Sequence, residues 1–217
     1  MASLRFKYAP MNAGKSSNLL QTAYNYEERG MFPLVLKPSI DTKGSDQIVR
    51  RAMIYKREVD NLISPSMNIY DLVVEKLIND VKITAILIDE AQFLTKEQIK
   101  QLSDITVILD IPVICFGLRT DFKCDFFEGS EALFRYANIL EELTTVCICG
   151  KKALFNARVV DGKYVQNGSQ VVIDGSEECT YISLCPYHYK IFVENIDVKE
   201  EQEKIKIKIK KRTKNNF

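Results

Sequence analysis

A chain of 217 residues with 46% apolar side chains is long enough for one sizeable core, or for a core with a small appendage, and too apolar to be disordered. The net charge of +1 is unevenly spread: residues 199–214 carry eight Lys/Arg against three Glu, which leaves the rest of the chain at −4 and argues against a nucleic-acid-binding surface on the folded part. The apolar run Ile83 to Ile88 is too short to span a bilayer, and the opening MASLRFKYAP has no apolar stretch of signal-peptide length, so a cytoplasmic protein with no membrane partner is expected.

In chain order, Leu4 to Ala9 reads as a first strand. Lys15 to Arg29 follows as a helix, with Leu19, Leu20, Ala23 and Tyr24 on one face and Gly30 placed to end it. Pro33 to Leu36 reads as a second strand, and Ile69, Leu72, Val73, Val74 and Leu77 have helical spacing. Ile83 to Ile88 is a nearly continuous apolar strand that ends in Asp89-Glu90. Thr95-Lys-Glu-Gln98 has the form of a capping box opening the next helix. Pro112 to Phe116 is another buried strand, and Ser130 is an N-cap candidate for a helix carrying Ala132, Leu133, Tyr136, Ala137 and Leu140. Apolar strands alternating with helices predict an α/β fold with a parallel sheet covered by helices on both faces.

The character changes after about residue 143. Short β-like runs (Ala157 to Val160, Gln170 to Ile173, Thr180 to Leu184) and the turn dipeptides Asp161-Gly162 and Asn167-Gly168 predict a small β-rich unit. The expected organisation is therefore an α/β domain over 1–143, a small β-rich domain over 144–192 and a charged, flexible tail over 193–217. In that tail Lys204 to Lys210 alternates strictly between Lys and Ile, which suits a solvated end; an edge strand or a contact with a polyanion is the alternative.

Three groups of residues carry chemistry. The first is Ala9-Pro10-Met11-Asn12-Ala13-Gly14-Lys15-Ser16, between a strand and a helix. Backbone N–H groups of such a turn and the helix N-terminus can cradle phosphates, the lysine can neutralise the terminal ones, and the serine hydroxyl can ligate Mg²⁺. Ala9 stands where the phosphate-loop pattern has its first glycine. The second is the acidic pair at the end of the buried strand. Asp89 suits the Mg²⁺ of a bound nucleotide, and Glu90 suits the base that takes a proton from a hydroxyl acceptor. The third is Cys147-x-Cys149 with Cys185-x-x-His188, which holds the chain's single histidine. Two such half-sites can form a closed tetrahedral Zn²⁺ site, structural because no position is left open. Cys115 reads as core.

Taken in order, these motifs resemble the zinc-containing thymidine kinases of bacteria and animal cytosol over roughly residues 3–192. Met11 to Ser16, Asp89-Glu-Ala-Gln-Phe93, Gly117-Leu-Arg-Thr-Asp-Phe122 and Cys147-x-Cys149-Gly are most similar to the enterobacterial branch. The resemblance implies transfer of the γ-phosphate of ATP to the 5′-hydroxyl of thymidine, with Mg²⁺, and Glu90 as the base. It implies nucleotide contacts from Ala9 to Ser16 and from Asp89 and Glu90 through Ala91 and Gln92. It implies substrate contacts from Met11, Phe93, Phe122 and Phe127, from the backbone of Val172, Ile173, Asp174 and Gly175, and from Tyr181 on a lasso between the zinc half-sites. It also implies a homotetramer inhibited by thymidine triphosphate. Asp174-Gly175 stands where Gly-Gly is more usual, and Lys43 where an arginine is usual. A phosphate-loop ATPase or GTPase switch, and a zinc-ribbon nucleic-acid module, are the competing classes; the acidic body disfavours the second.

Overall fold

The computed structural model describes residues 1–40, 47–49, 56–170 and 179–214. Its elements run β1 (Leu4–Ala9), α1 (Lys15–Glu27), β2 (Pro33–Pro38), β3 (Gln47–Val49), β4 (Lys56–Glu58), β5 (Asn61–Ile63), α2 (Ile69–Ile78), β6 (Ala85–Ile88), a 3₁₀ turn (Ala91–Phe93), α3 (Lys96–Ile108) and β7 (Val113–Leu118). They continue with α4 (Glu128–Tyr136), β8 (Ile139–Glu142), β9 (Thr145–Val146), β10 (Lys152–Ala153), β11 (Phe155–Val160), β12 (Lys163–Val165), β13 (Cys179–Leu184), α5 (Pro186–Phe192) and α6 (Val198–Lys214). None of the described helices is long and apolar enough to cross a membrane.

The main sheet has six strands in the order β5-β2-β6-β7-β1-β8, and every pairing in it is parallel. The strands are apolar along their length because both faces are covered. Leu34, Leu36, Ile86, Ile88, Val113 and Cys115 share one buried cluster with Ile69 and Val73 of α2, Ile99, Leu102 and Ile105 of α3, and Leu133 of α4. Their strand neighbours Val35, Leu87 and Phe116 point the other way and pack with Leu19, Leu20 and Ala23 of α1. This is the period-2 alternation of a strand read by two layers of helix. Cys115 is fully buried, and burial pushes its thiol far above the ordinary range.

Local signals set several boundaries. Thr95 and Gln98 form the expected reciprocal capping box at the start of α3. Gly30, in the left-handed region at φ 69°, closes the turn after α1. Asp161 and Gly162, both with positive φ, make the tight turn joining β11 to β12.

Four expectations are corrected. Tyr24 is exposed rather than packed, because Leu19, Leu20 and Ala23 already close the α1 face of the sheet. Ser130 does not cap α4. The helix begins earlier, after Phe127, and the Ser130 hydroxyl is buried in its first turn, donating to the Leu118 carbonyl at 2.7 Å. Leu140 belongs to β8, not to that helix, because Arg5–Tyr8 of β1 offers Ile139–Glu142 a strand edge. The edge strand offered as an alternative for the Lys/Ile stretch is not formed: the stretch lies in helix α6, with Ile205, Ile207 and Ile209 exposed to solvent. Asp197 accepts from the backbone N–H groups of Lys199 and Glu200, and Lys204 pairs with Glu200 and Glu201. Among the described residues no strand pairs with it, and the local helical contacts prevail.

The β-rich unit follows β8. Strands β9 and β10 form an antiparallel hairpin, and β12-β11-β13 form a three-stranded antiparallel sheet. It has a small core of its own: Cys147, Ala153, Ala157, Leu184, Cys185, Tyr189 and Val193.

Candidate active site and metal centre

In a parallel sheet the carboxyl ends of the strands lie along one edge, where ligands collect. Here β1 delivers the loop Ala9–Ser16 to that edge, and β6, beyond β7, delivers Asp89-Glu90. The loop's left-handed residues are Asn12 (φ 59°) and Gly14 (φ 76°), not Ala9. A glycine at position 9 is therefore not required by the backbone, and Ala9 is buried at the end of its strand. Gly14 caps α1, and Lys15 and Ser16 open it.

Lys15 is buried and folds over the loop, donating to the Pro10 carbonyl at 2.8 Å. Burial pushes its ammonium below the ordinary lysine range, while the charges of Glu90 and Asp89 act in the opposite sense. Ser16 donates from its hydroxyl to Asp89 Oδ2 at 3.2 Å. Burial, with Glu90 beside it, pushes the Asp89 carboxyl up to about 7, against the Glu90 backbone hydrogen bond and the Lys37 and Lys15 ammonium groups. Serine, aspartate, lysine and glutamate thus converge where phosphates would meet the helix N-terminus. The Ser16 hydroxyl and the buried Asp89 carboxylate are oxygen donors suited to Mg²⁺.

Glu90 has φ 49°, a conformation that costs a side-chain-bearing residue of order 1 kcal/mol. The surrounding groups hold it there. Gln92, itself buried, donates from Nε2 to Glu90 Oε2 at 2.6 Å and accepts at Oε1 from the Leu118 N–H at 3.0 Å. Both ends of this amide are therefore engaged with protein groups. The 3₁₀ turn is pinned from outside as well. A Cβ on Gly129 would lie 2.5 Å from the Ala91 carbonyl oxygen and 2.8 Å from that of Gln92, so only glycine lets α4 approach so closely.

Beside this cluster, Phe93 and Phe127 meet edge to face at 5.6 Å between centroids. Phe122 and Tyr181 are linked through Arg158. Its guanidinium lies 3.8 Å from the Phe122 centroid and donates to the Tyr181 hydroxyl at 3.0 Å and to the Ser169 carbonyl at 3.0 Å. The predicted contacts Val172, Ile173, Asp174 and Gly175, and Asp41 to Lys43, lie outside the described residues.

Cys147, Cys149, Cys185 and His188 come together as predicted, with their ligand atoms all within 4.8 Å of one another. Cys149 Sγ lies 3.8 Å from Cys185 Sγ, and His188 Nδ1 lies 3.2 Å from Cys147 Sγ and 3.5 Å from Cys185 Sγ. A tetrahedral zinc ion with bonds of about 2.0–2.3 Å would space its ligand atoms roughly 3.5–3.8 Å apart, so the donor set fits that ion. Burial acts to raise the Cys147 thiol, but hydrogen bonds from the Cys185 and Cys149 backbones and the His188 ring bring it down to about 6. The His188 ring stacks on Phe192, which stacks on Tyr164, fixing the imidazole from outside.

Sequence reasoning passed over Asn156, Arg158, Ser183 and Tyr189. A signal for the first two was present: Asn156 and Arg158 alternate with Ala157 and Val159 in a strand, and both are buried. Two polar residues on one buried strand face mark a surface that meets other polar groups.

A family model described as thymidine kinase matches residues 2–189. The thymidine kinase of Mannheimia succiniciproducens is 46% identical over 192 residues, covering 88% of this chain and 96% of the relative. That of Rhodopirellula baltica is 46% identical over 195 residues, with 88% and 89% covered, and that of Haemophilus influenzae (strain 86-028NP) is 45% identical over 192 residues, with 88% and 97% covered. Matched along most of its length by this family model and by these relatives, and with its Cys/His cluster assembled, the chain belongs to the thymidine kinase family.

Proposed function

We propose that this chain is an ATP-dependent thymidine kinase, moving the γ-phosphate of ATP to the 5′-hydroxyl of thymidine. The observation that carries the reading is Glu90: a carboxylate aimed by Gln92, beside a buried lysine and aspartate at the mouth of a phosphate loop. A nucleotide switch needs a phosphate grip and a positioned water. A kinase acting on a hydroxyl also needs a base for the acceptor's proton, and Glu90 supplies one.

In this reading the backbone N–H groups of Ala9 to Ser16 hold the phosphates, and Lys15 neutralises charge on the transferring group. Ser16 and Asp89 would hold the Mg²⁺ that accompanies ATP, and the ion would supply charge neutralisation for the phosphates. Glu90 takes the 5′-hydroxyl proton as the oxygen attacks the γ-phosphorus, and the bond from that phosphorus to the β,γ-bridging oxygen breaks to release ADP. Ala91 and Gln92 line the nucleotide side, and Gln92 also holds the Glu90 carboxylate. Met11, Phe93, Phe122, Phe127 and Tyr181 surround the nucleoside with residues 172–175. A structural Zn²⁺ on Cys147, Cys149, Cys185 and His188 would staple the two ends of the 144–192 unit to each other. The family resemblance supports a cytoplasmic homotetramer inhibited by thymidine triphosphate, with 193–217 as an appended tail.

The test is incubation with Mg·ATP and each deoxynucleoside in turn, following ADP and nucleoside monophosphate. Thymidine-dependent turnover is expected. Phosphate release that ignores the nucleoside would replace the kinase reading with a hydrolase.

A further inference from the structure

The backbone of Met11, in the phosphate loop, is gripped at both polar groups by side chains more than 140 positions away. Its N–H donates to Asn156 Oδ1 at 2.7 Å, and its carbonyl accepts from the Ser183 hydroxyl at 2.6 Å. Asn156 and Ser183 are direct partners in the β11–β13 ladder, so their side chains leave the small sheet side by side on one face. The other end of the Asn156 amide donates to the Thr120 carbonyl at 3.0 Å, fixing which way the amide points. Asn156 is 2% exposed, so these bonds are shielded from competing water.

The loop's Lys15 and Ser16 bond within the α/β domain, to Pro10 and to Asp89. The Met11 backbone is held from the second sheet. Loops of this kind bind phosphate through backbone N–H groups, so the orientation of each peptide decides where its donor points. The Met11 N–H belongs to the Pro10–Met11 peptide and the Met11 carbonyl to the Met11–Asn12 peptide, so the two bonds together hold both peptide planes that flank the Met11 Cα.

We infer that Asn156 and Ser183 form a clamp that sets the two peptides flanking Met11 for phosphate binding, which makes the metal-stapled sheet a positioning element of the nucleotide site. Neither side chain is a catalytic residue; both act through the loop. The link to the metal is short, because Ser183 lies two residues before Cys185 on the same strand end. The inference rests on the proposal that the loop binds ATP.

The experiment measures binding of the non-hydrolysable analogue AMP-PNP with Mg²⁺ to wild type, Asn156→Ala, Ser183→Ala and Ser183→Thr. Zinc content and the unfolding midpoint are recorded for each protein. Each alanine variant is expected to weaken AMP-PNP binding about fivefold, the worth of one net hydrogen bond. Zinc should stay at one per chain. Ser183→Thr, which keeps the hydroxyl, should restore AMP-PNP affinity. A merely structural role would lower the unfolding midpoint without changing an affinity measured well below it. AMP-PNP affinities within twofold of wild type in both alanine variants overturn the clamp. So does a loss of affinity that tracks loss of zinc, or one that threonine fails to restore. Failure of the wild type itself to bind AMP-PNP overturns the ATP-binding reading along with the clamp.

Discussion

Gln92→Leu removes one side chain that serves two partners and replaces it with one of similar volume, so no cavity complicates the result. The Glu90 carboxylate loses a 2.6 Å charge-assisted hydrogen bond, a class worth about 1.5–3 kcal/mol. The Leu118 N–H, which donates to Gln92 Oε1 in a buried setting, is left without that acceptor, at about 1–3 kcal/mol. The two losses share a residue and do not add fully, so a stability loss of about 3 kcal/mol is expected by urea unfolding. Turnover should fall by about tenfold to a hundredfold, because Glu90 keeps its chemistry but loses its aim, while KM for ATP changes little. Gln92→Glu separates the two effects. It keeps an acceptor for Leu118 N–H but sets a second carboxylate against Glu90, and the two must share a proton. Such a shared proton is bound more tightly folded than unfolded. The variant's stability deficit should therefore be small near pH 5 and grow as pH rises through neutrality, and the acid limb of its rate profile should move to higher pH. Wild-type turnover together with a stability change under about 0.5 kcal/mol for Gln92→Leu would refute the positioning role. A pH-independent deficit for Gln92→Glu would refute the electrostatic argument.

Glu90→Gln should lower turnover by at least about a hundredfold while AMP-PNP still binds; near-normal turnover would remove Glu90 from the role of base. Elemental analysis should find one zinc per chain, and chelation should lower the unfolding midpoint and disorder the small core around Ala153, Leu184 and Tyr189. A zinc-free preparation with an unchanged midpoint would defeat the staple.

Much of the fold is legible in neighbours a few positions apart. Capping box, hairpin dipeptide and strand–loop–helix each involve residues close enough in sequence to declare their own geometry, and the Cys and His spacing names its ligands in the same way. Where such a signal met a tertiary partner, the partner prevailed. Ser130 has the residue type of a cap, yet its hydroxyl is buried against the Leu118 carbonyl. Leu140 has helical spacing, yet the edge of β1 recruits it into β8. In α6 the reverse holds: among the described residues no strand pairs with the alternating Lys and Ile, and Glu–Lys contacts one turn apart favour the helix.

Short segments carry the chemical signals: Gly-Lys-Ser between a strand and a helix, an acidic pair after a buried strand, and two Cys/His half-sites at ligand spacing. How these parts hold one another depends on contacts between distant segments. Gln92 aims Glu90 while it binds the end of β7, Gly129 admits α4 against the 3₁₀ turn, Arg158 joins Phe122 to Tyr181, and Asn156 with Ser183 grips Met11 from another sheet. The reason is distance along the chain. A hydrogen bond between residues 145 or 172 positions apart is written in neither segment alone and exists only once the topology brings the two together.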